Sequence, residues 1–302
     1  MTRRFKIGAW VGGAGSYPQP TADNIQAFQT LQGTHIDFVS LFALFDINTW
    51  SWVESFADTA YKNGSTLVIT WMPNGYNARN ITDGQADQYI RHFAKGAKEY
   101  GKEVWLRPLH EANGDWYDWG TGKTGECNTE ECVAEAFRHI VKIFREESAD
   151  NVKWVWTTNS SNVGENTSFT GTYPGDDYVD FMGMDCYLGI NNTVFLNNLK
   201  LLRTVSEAKM KPCGVTEIGI EGFQNPDYWI TNIAAPMAGR KMSMLVTWSN
   251  KYDPAEEWNV YYSVFPGHPS EDSFREMYAR SDTFFCEDLP PMYEMAENII
   301  VK

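Results

Sequence analysis

Eight short apolar runs recur along the chain: Lys6–Val11, Asp37–Phe42, Thr66–Trp71, Val104–Leu109, Val152–Thr157, Tyr178–Asp185, Pro212–Glu217 and Met242–Trp248. Each has strand length and is bounded by turn residues. Between them the pattern changes to a helical one. Thr21 is placed to cap a helix over Ala22–Gln32, and Trp52–Asn63 is amphipathic up to the Asn63-Gly64 turn. Gln85–Tyr100 stops at Gly101. Glu130–Glu147 is the clearest helix, with Val133, Phe137, Ile140, Val141 and Phe144 on one face. Val194–Lys209, Pro226–Ala238 and Ser270–Ser281 complete the set, whereas Ser160–Pro174, after the fifth run, reads mostly as loop.

Strand and helix alternate from end to end, with no linker, repeat or low-complexity tract, and such alternation implies parallel strands. Eight units in 302 residues predict an α/β fold, a single (β/α)8 barrel domain over residues 1–302. An open dinucleotide-binding sheet needs a phosphate turn that opens a helix after the first strand. Gly12-Gly13-Ala14-Gly15 is glycine-rich there, but Ser16-Tyr17-Pro18-Gln19-Pro20 cannot start a helix, so the stretch is a strand-end loop.

In a barrel of this kind the chemistry lies at the C-terminal strand ends. Those ends carry Trp10, Phe42, Trp71, His110 with Glu111, Asn159, Asp185 with Tyr187, Glu217, and Trp248. Glu111 follows a buried strand, sits beside His110, and precedes Asn113-Gly114 and the aromatics Trp116, Tyr117 and Trp119. A glutamate in such surroundings is either held in a structural ion pair, with Arg107 the nearest candidate, or has chemical work to do. Glu217 ends the seventh run, about three βα units further on, and is expected to face Glu111 across the barrel mouth. Two facing carboxylates under indoles, without a phosphate loop or metal-ligand spacing, point to glycoside hydrolysis. Glu111 suits the acid/base with a raised pKa, and Glu217 the ionised nucleophile, with Tyr187 placed to donate it a hydrogen bond. A retaining pair predicts carboxyl groups roughly 5–5.5 Å apart. Asp185 is a rival carboxylate, read here as a satisfied strand-end group.

Composition narrows the partners. A net charge of −14 and a pI near 4.8 argue against nucleic acid or an anionic membrane surface. No window approaches the apolar length of a membrane helix. Aromatic residues make up 15% of the chain, which suits stacking on a flat, uncharged ligand as well as filling a core. Met1-Thr-Arg-Arg-Phe-Lys has a basic start but runs straight into a strand, so no signal peptide is expected within this sequence. Of five cysteines, Cys127 and Cys132 lie in one polar insertion and can close a small disulfide loop; no cysteine or histidine spacing marks a zinc site.

Four segments, Arg107-Pro-Leu-His-Glu-Ala-Asn-Gly-Asp-Trp-Tyr, Tyr173-Pro-Gly-Asp-Asp-Tyr-Val-Asp-Phe, Thr216-Glu-Ile-Gly-Ile-Glu-Gly and Val246-Thr-Trp-Ser-Asn, resemble glycoside hydrolase family 26, the β-mannanase family, and the likeness covers nearly the whole chain. The resemblance implies a (β/α)8 barrel, retention of anomeric configuration and no cofactor or metal. It implies Glu111 as acid/base and Glu217 as nucleophile, His110 and Tyr187 ordering the nucleophile, and Trp116 and Trp248 lining the subsite of the attacked sugar. Trp71, Tyr117 and Asn113 complete the expected substrate contacts.

Two departures bear on the sugar: Trp71-Met72-Pro73 stands where the family commonly has Trp-His, and Trp248-Ser249-Asn250 where it often has Trp-Arg-Asn. The first half, through Asn113-Gly-Asp-Trp-Tyr, is closer to the family's mixed-linkage β-glucan hydrolases. The second half, from Glu217 through Pro266-Gly-His-Pro, is closer to its mannanases. The favoured expectation is an endo-acting 1,4-β-mannanase on a neutral polysaccharide, as an exported monomer. A mixed-linkage (1,3;1,4)-β-glucanase is the main alternative; a β-1,3-xylanase and an inactive carbohydrate-binding barrel follow. Asn80, Asn159, Asn166 and Asn191 each head an acceptor sequence for N-glycosylation.

Overall fold

The computed structural model describes residues 6–12, 19–123, 128–165, 167–188, 193–220, 226–237, 244–248 and 264–279. Its strands are β1 (Lys6–Trp10), β2 (Phe38–Leu44), β3 (Thr66–Met72), β4 (Val104–Pro108), β5 (Val152–Asn159), β6 (Phe181–Leu188), β7 (Cys213–Ile220) and β8 (Met244–Trp248). The α-helices are α1 (Ala22–Gln32), α2 (Trp50–Lys62), α3 (Ala78–Thr82), α4 (Asp87–Tyr100), α5 (Glu130–Glu146), α6 (Thr193–Lys209), α7 (Ala235–Met237) and α8 (Glu271–Ala279). The strands are parallel, follow one another in chain order, and make the expected (β/α)8 barrel. No helix among the described residues is long and apolar enough to cross a membrane.

The chain divides into two compact units, one from residues 41–185 and the other from residues 1–40 with 186–302. In the first, β3 pairs with β4 (Thr70 opposite Arg107), β4 with β5, and β5 with β6, where Asn159 lies opposite Asp185. Alternation along β3 sends Thr70 to one face and Trp71 to the other. Trp71 has no exposed surface: its ring lies 4.5 Å from Phe93 of α4 and 5.9 Å from Phe144 of α5, and its indole donates to Tyr89. Helices α2 and α4 meet through Trp50, whose ring crosses Phe93 at 90°. A Cβ on Gly96 would come within 2.3 Å of Trp50, so this mid-helix glycine, unfavourable by roughly 1 kcal/mol on its own, makes room for an indole.

In the second unit β1 pairs with the start of β2 on one side and with β8 on the other, and Val215 of β7 lies opposite Leu245. Thr21 caps α1 by accepting from the Asn24 amide, as its sequence position predicts. Helix α1 packs on α8 through Phe28, edge-on to Phe274 and Tyr278, while Arg275 donates to the carbonyl of Leu31.

Three elements differ from expectation. Strand β6 starts at Phe181 rather than Tyr178, because Gly175, at φ 109°, opens a 3-10 turn over Asp176–Tyr178. Helix α3 lies within the approach to α4, held by reciprocal side-chain caps between Asn77 and Asn80. Over 226–237 the chain makes a turn, a π-helical stretch (Trp229–Ala234) and then α7, in place of one regular helix. The 160–174 connection carries no helix among its described residues, as expected.

Candidate active site

The stretch leaving β4 is strained. Leu109 and Glu111 both adopt the left-handed region, with φ 54° and 53°, a conformation costly for residues with a Cβ. Hydrogen bonds hold it there: the Glu111 amide donates to the Thr157 carbonyl and the Gly114 amide to the Glu111 carbonyl. The result aims the Glu111 side chain at two fixed donors. Asn159 Nδ2 donates to its Oε1 and Trp116 Nε1 to its Oε2, each at 2.8 Å. Glu111 is only 6% exposed. Burial, with the negative charge of Asp185 second, pushes its pKa up to about 8, against smaller opposing pulls from Asn159, Arg107 and Trp116. Near neutral pH this carboxyl therefore holds a proton that it can deliver.

Behind it lies a dry ionic network. Arg107 Nη1 donates to Asp185 at 2.6 Å while Nε and Nη2 both reach Thr70 Oγ1, and neither charged partner has more than 1% of its side chain exposed. Arg107 thus pairs with Asp185, and Asp185 is the satisfied strand-end group.

His110 is buried; burial first, and the Arg107 charge second, hold its pKa well below the usual value, leaving the ring neutral. Its Nε2 shares a hydrogen bond with the Tyr117 hydroxyl at 3.1 Å, and its carbonyl accepts from Trp119. Tyr117 stacks on Trp119 at 4.4 Å and 10°. Trp116, by contrast, is 43% exposed, so its ring can meet a ligand while its N–H holds Glu111. Gly114 permits this, since a Cβ there would lie 2.4 Å from the Trp116 ring.

Two expected substrate contacts are placed elsewhere. Trp71 stands on the helix-facing side of β3, in the aromatic cluster described above, and is a core residue. Asn113 is spent on the loop after β5: Nδ2 donates to Asn159 O and Asn162 Oδ1, and Oδ1 accepts from Asn159 N. It clamps two loops, and both hydrogens of its amide are engaged there.

In the other unit, Glu217 is 5% exposed on β7, and Tyr187 of β6 donates to its Oε2 at 2.5 Å, the hydrogen bond anticipated from the strand ends. Trp248 ends β8 opposite Trp10 in register; its side chain, like Ser249 and Cys127, lies outside the described residues. Cys132 is disulfide-bonded, while Cys186 and Cys213 are free and buried.

Sequence reasoning listed Asn159 among the strand ends and the glycosylation sites but gave it no role. Its amide is committed to Glu111. The readable signal was its position, the last residue of the strand next to the acid's own. Asn80 is likewise engaged in its helix cap, and Asn166 and Asn191 fall outside the described residues.

A buried acid that keeps its proton suits general acid–base chemistry, and a buried carboxylate that accepts a phenolic hydrogen bond suits nucleophilic chemistry. Residues 19–263 match the model of the glycosyl hydrolase family 26. Endoglucanase H of Acetivibrio thermocellus is 52% identical over 183 residues, which are 61% of this chain but 20% of that protein. A mannan endo-1,4-beta-mannosidase of Bifidobacterium adolescentis is 25% identical over 191 residues, 56% of this chain and 18% of that one. The chain thus spans about a fifth of these relatives' length. In fold it is similar to the catalytic domain of a Bacillus sp. JAMB-750 endo-beta-1,4-mannanase, with a TM-score of 0.72 and 19% identity over 94% of this chain and 88% of that one. The chain belongs to glycosyl hydrolase family 26.

Proposed function

We propose that the protein is a retaining endo-β-glycanase acting on the backbone of a neutral β-glucan. Glu217 attacks the anomeric carbon while Glu111 protonates the departing glycosidic oxygen. Glu111, now ionised, then takes a proton from the water that hydrolyses the glycosyl-enzyme. The observation that carries this reading is the state of Glu111: buried, anchored at both oxygens, and pushed up to a pKa of about 8. Trp116 supplies the exposed aromatic face for the sugar beside the acid.

The choice of sugar follows the relatives. The sequence alone favours mannan, but the 52% identical relative is named an endoglucanase, against 25% for the mannosidase above, so β-glucan now comes first. A β-1,4-mannan backbone is the second reading, supported by that mannosidase and by the mannanase fold likeness. Either substrate is a polymer that does not cross membranes, so the proposed site of action is outside the cell.

The test is reducing-sugar release from barley β-glucan, lichenan, galactomannan, glucomannan and β-1,3-xylan side by side, with Glu217→Ala as blank. Release from the two glucans well above the mannans is the expected result. Release from mannans alone installs the second reading, and no release from any of them overturns the endo-glycanase assignment. Product anomers followed by NMR must first appear with the substrate's configuration; inverted products would overturn retention.

A further inference from the structure

Asn159 is the last residue of β5, and its side chain faces two ways. Its Oδ1 accepts from the Ser161 amide at 2.8 Å and its Nδ2 donates to Glu111 Oε1 at 2.8 Å. The Ser161 N–H can only donate, so the amide oxygen must face it and the nitrogen must face Glu111. Its main chain is fixed separately: Asn159 N donates to Asn113 Oδ1, and Asn159 O accepts from Asn113 Nδ2. The Asn113 clamp therefore holds the loop through backbone atoms, which leaves the Asn159 amide side chain to the acid and to Ser161.

We propose that Asn159 is a positioning residue of the acid/base, a donor locked nitrogen-inward that fixes the Glu111 carboxyl and balances its acid duty in the first step against its base duty in the second. This rests on the reading of Glu111 given above. In the first step the Glu217–C1 bond forms, the C1–O bond to the leaving sugar breaks, and the Glu111 proton goes to that oxygen. In the second the water–C1 bond forms, the C1–Glu217 ester bond breaks, and the water's proton goes to Glu111. The acid step needs the neutral carboxyl and the base step the carboxylate. A donated N–H favours the carboxylate. It works against burial and the Asp185 charge, on the same side as Arg107 and the Trp116 indole; His110, beside it, is neutral. Deleting the donor tips Glu111 toward the acid and away from the base.

The experiment compares wild type, Asn159→Ala and Asn159→Asp on barley β-glucan and on an aryl β-cellobioside with a good leaving group, for which the second step limits turnover. In Asn159→Ala the basic limb of kcat/KM on glucan moves up by about one pH unit, as expected for losing one hydrogen bond to a charged group. The aryl substrate then shows roughly tenfold lower kcat at neutral pH, with a burst of released phenol as glycosyl-enzyme accumulates. Asn159→Asp keeps the acceptor for Ser161 but sets a second acidic oxygen against Oε1, and moves the limb further up. A purely structural Asn159 predicts instead equal losses on both substrates with unmoved limbs, and that outcome overturns the proposal. Should Asn159→Ala fail to fold, the near-isosteric Asn159→Asp alone decides on the same criterion. Glu111→Ala, read on the first step alone under single-turnover conditions, separates the two levels: if it slows that step equally on both substrates, the acid/base reading fails and the inference with it. If its loss is confined to the poor leaving group while the Asn159 limbs stay put, only the inference fails.

Discussion

Glu111, in the unit of residues 41–185, accepts hydrogen bonds from an amide and an indole, whereas Glu217, in the other unit, accepts from the Tyr187 phenol at 2.5 Å. Both are glutamates, both follow an apolar run, and both are about equally buried. The difference lies in what surrounds them. Glu111 stands on a strained turn, Glu217 on a regular strand. A phenolic O–H aimed at a carboxylate favours its charged form. Burial alone therefore does not set a carboxylate's duty. The backbone beneath each carboxylate and the kind of donor it meets differ, and differences of this sort are how one residue type can serve both as an acid and as a nucleophile.

The sharpest way to break this comparison is Glu111→Ala. If Glu111 is the acid, hydrolysis of glucan falls by roughly 10²–10⁴-fold, while the first step on an aryl glycoside with a good leaving group is largely spared, because a good leaving group needs no proton. Measuring both substrates under single-turnover conditions decides. Equal loss on the two would erase the difference between the carboxylates on which the comparison stands.

Tyr187→Phe tests the other side and has a smaller expected effect. One hydrogen bond to a charged group is worth roughly 1.5–3 kcal/mol, so kcat/KM should fall by about 10- to 100-fold. In contrast to Glu111→Ala, the loss should be of similar size for good and poor leaving groups, since the nucleophile attacks in both cases. A loss confined to the poor leaving group would assign Tyr187 to the acid and blur the two halves.

How much of this was legible in the sequence depends on the range of the interaction. Thr21, Gly101 and the apolar face of α5 announce themselves within a few residues, and their elements fall where expected. The burial of Glu111 and the hydrogen bond from Tyr187 to Glu217 were readable because polar side chains gather toward the C-terminal ends of barrel strands. Trp71 was not, since parallel strands are apolar on both faces, and the pattern cannot say which face an indole takes. The loop clamp of Asn113 and the part played by Asn159 were not readable for a different reason: the partners that define them lie 46 to 49 residues away and are partly backbone atoms, which no local pattern reports. Helix α3 spans five residues, too few to show a period, and rests on its asparagine caps instead.

The finest test is Trp116→Phe. It keeps an aromatic face for the sugar and removes only the N–H that reaches Glu111 Oε2. That donor favours the carboxylate, so its loss leaves burial and Asp185 less opposed and raises the Glu111 pKa further above 8. A general acid works only while protonated, and kcat/KM falls as pH rises through its pKa; the basic limb must therefore move to higher pH. The indole acts less strongly on Glu111 than Asn159 does, so the shift should be under about one unit, smaller than for Asn159→Ala. A shift to lower pH would mean that the indole stabilises the protonated carboxyl, and the account of how this acid is held would have to be reversed. An unmoved limb with weaker substrate binding would make Trp116 a sugar platform alone. The acid would then rest on Asn159, and the contrast with Glu217 would narrow to an amide donor against a phenol.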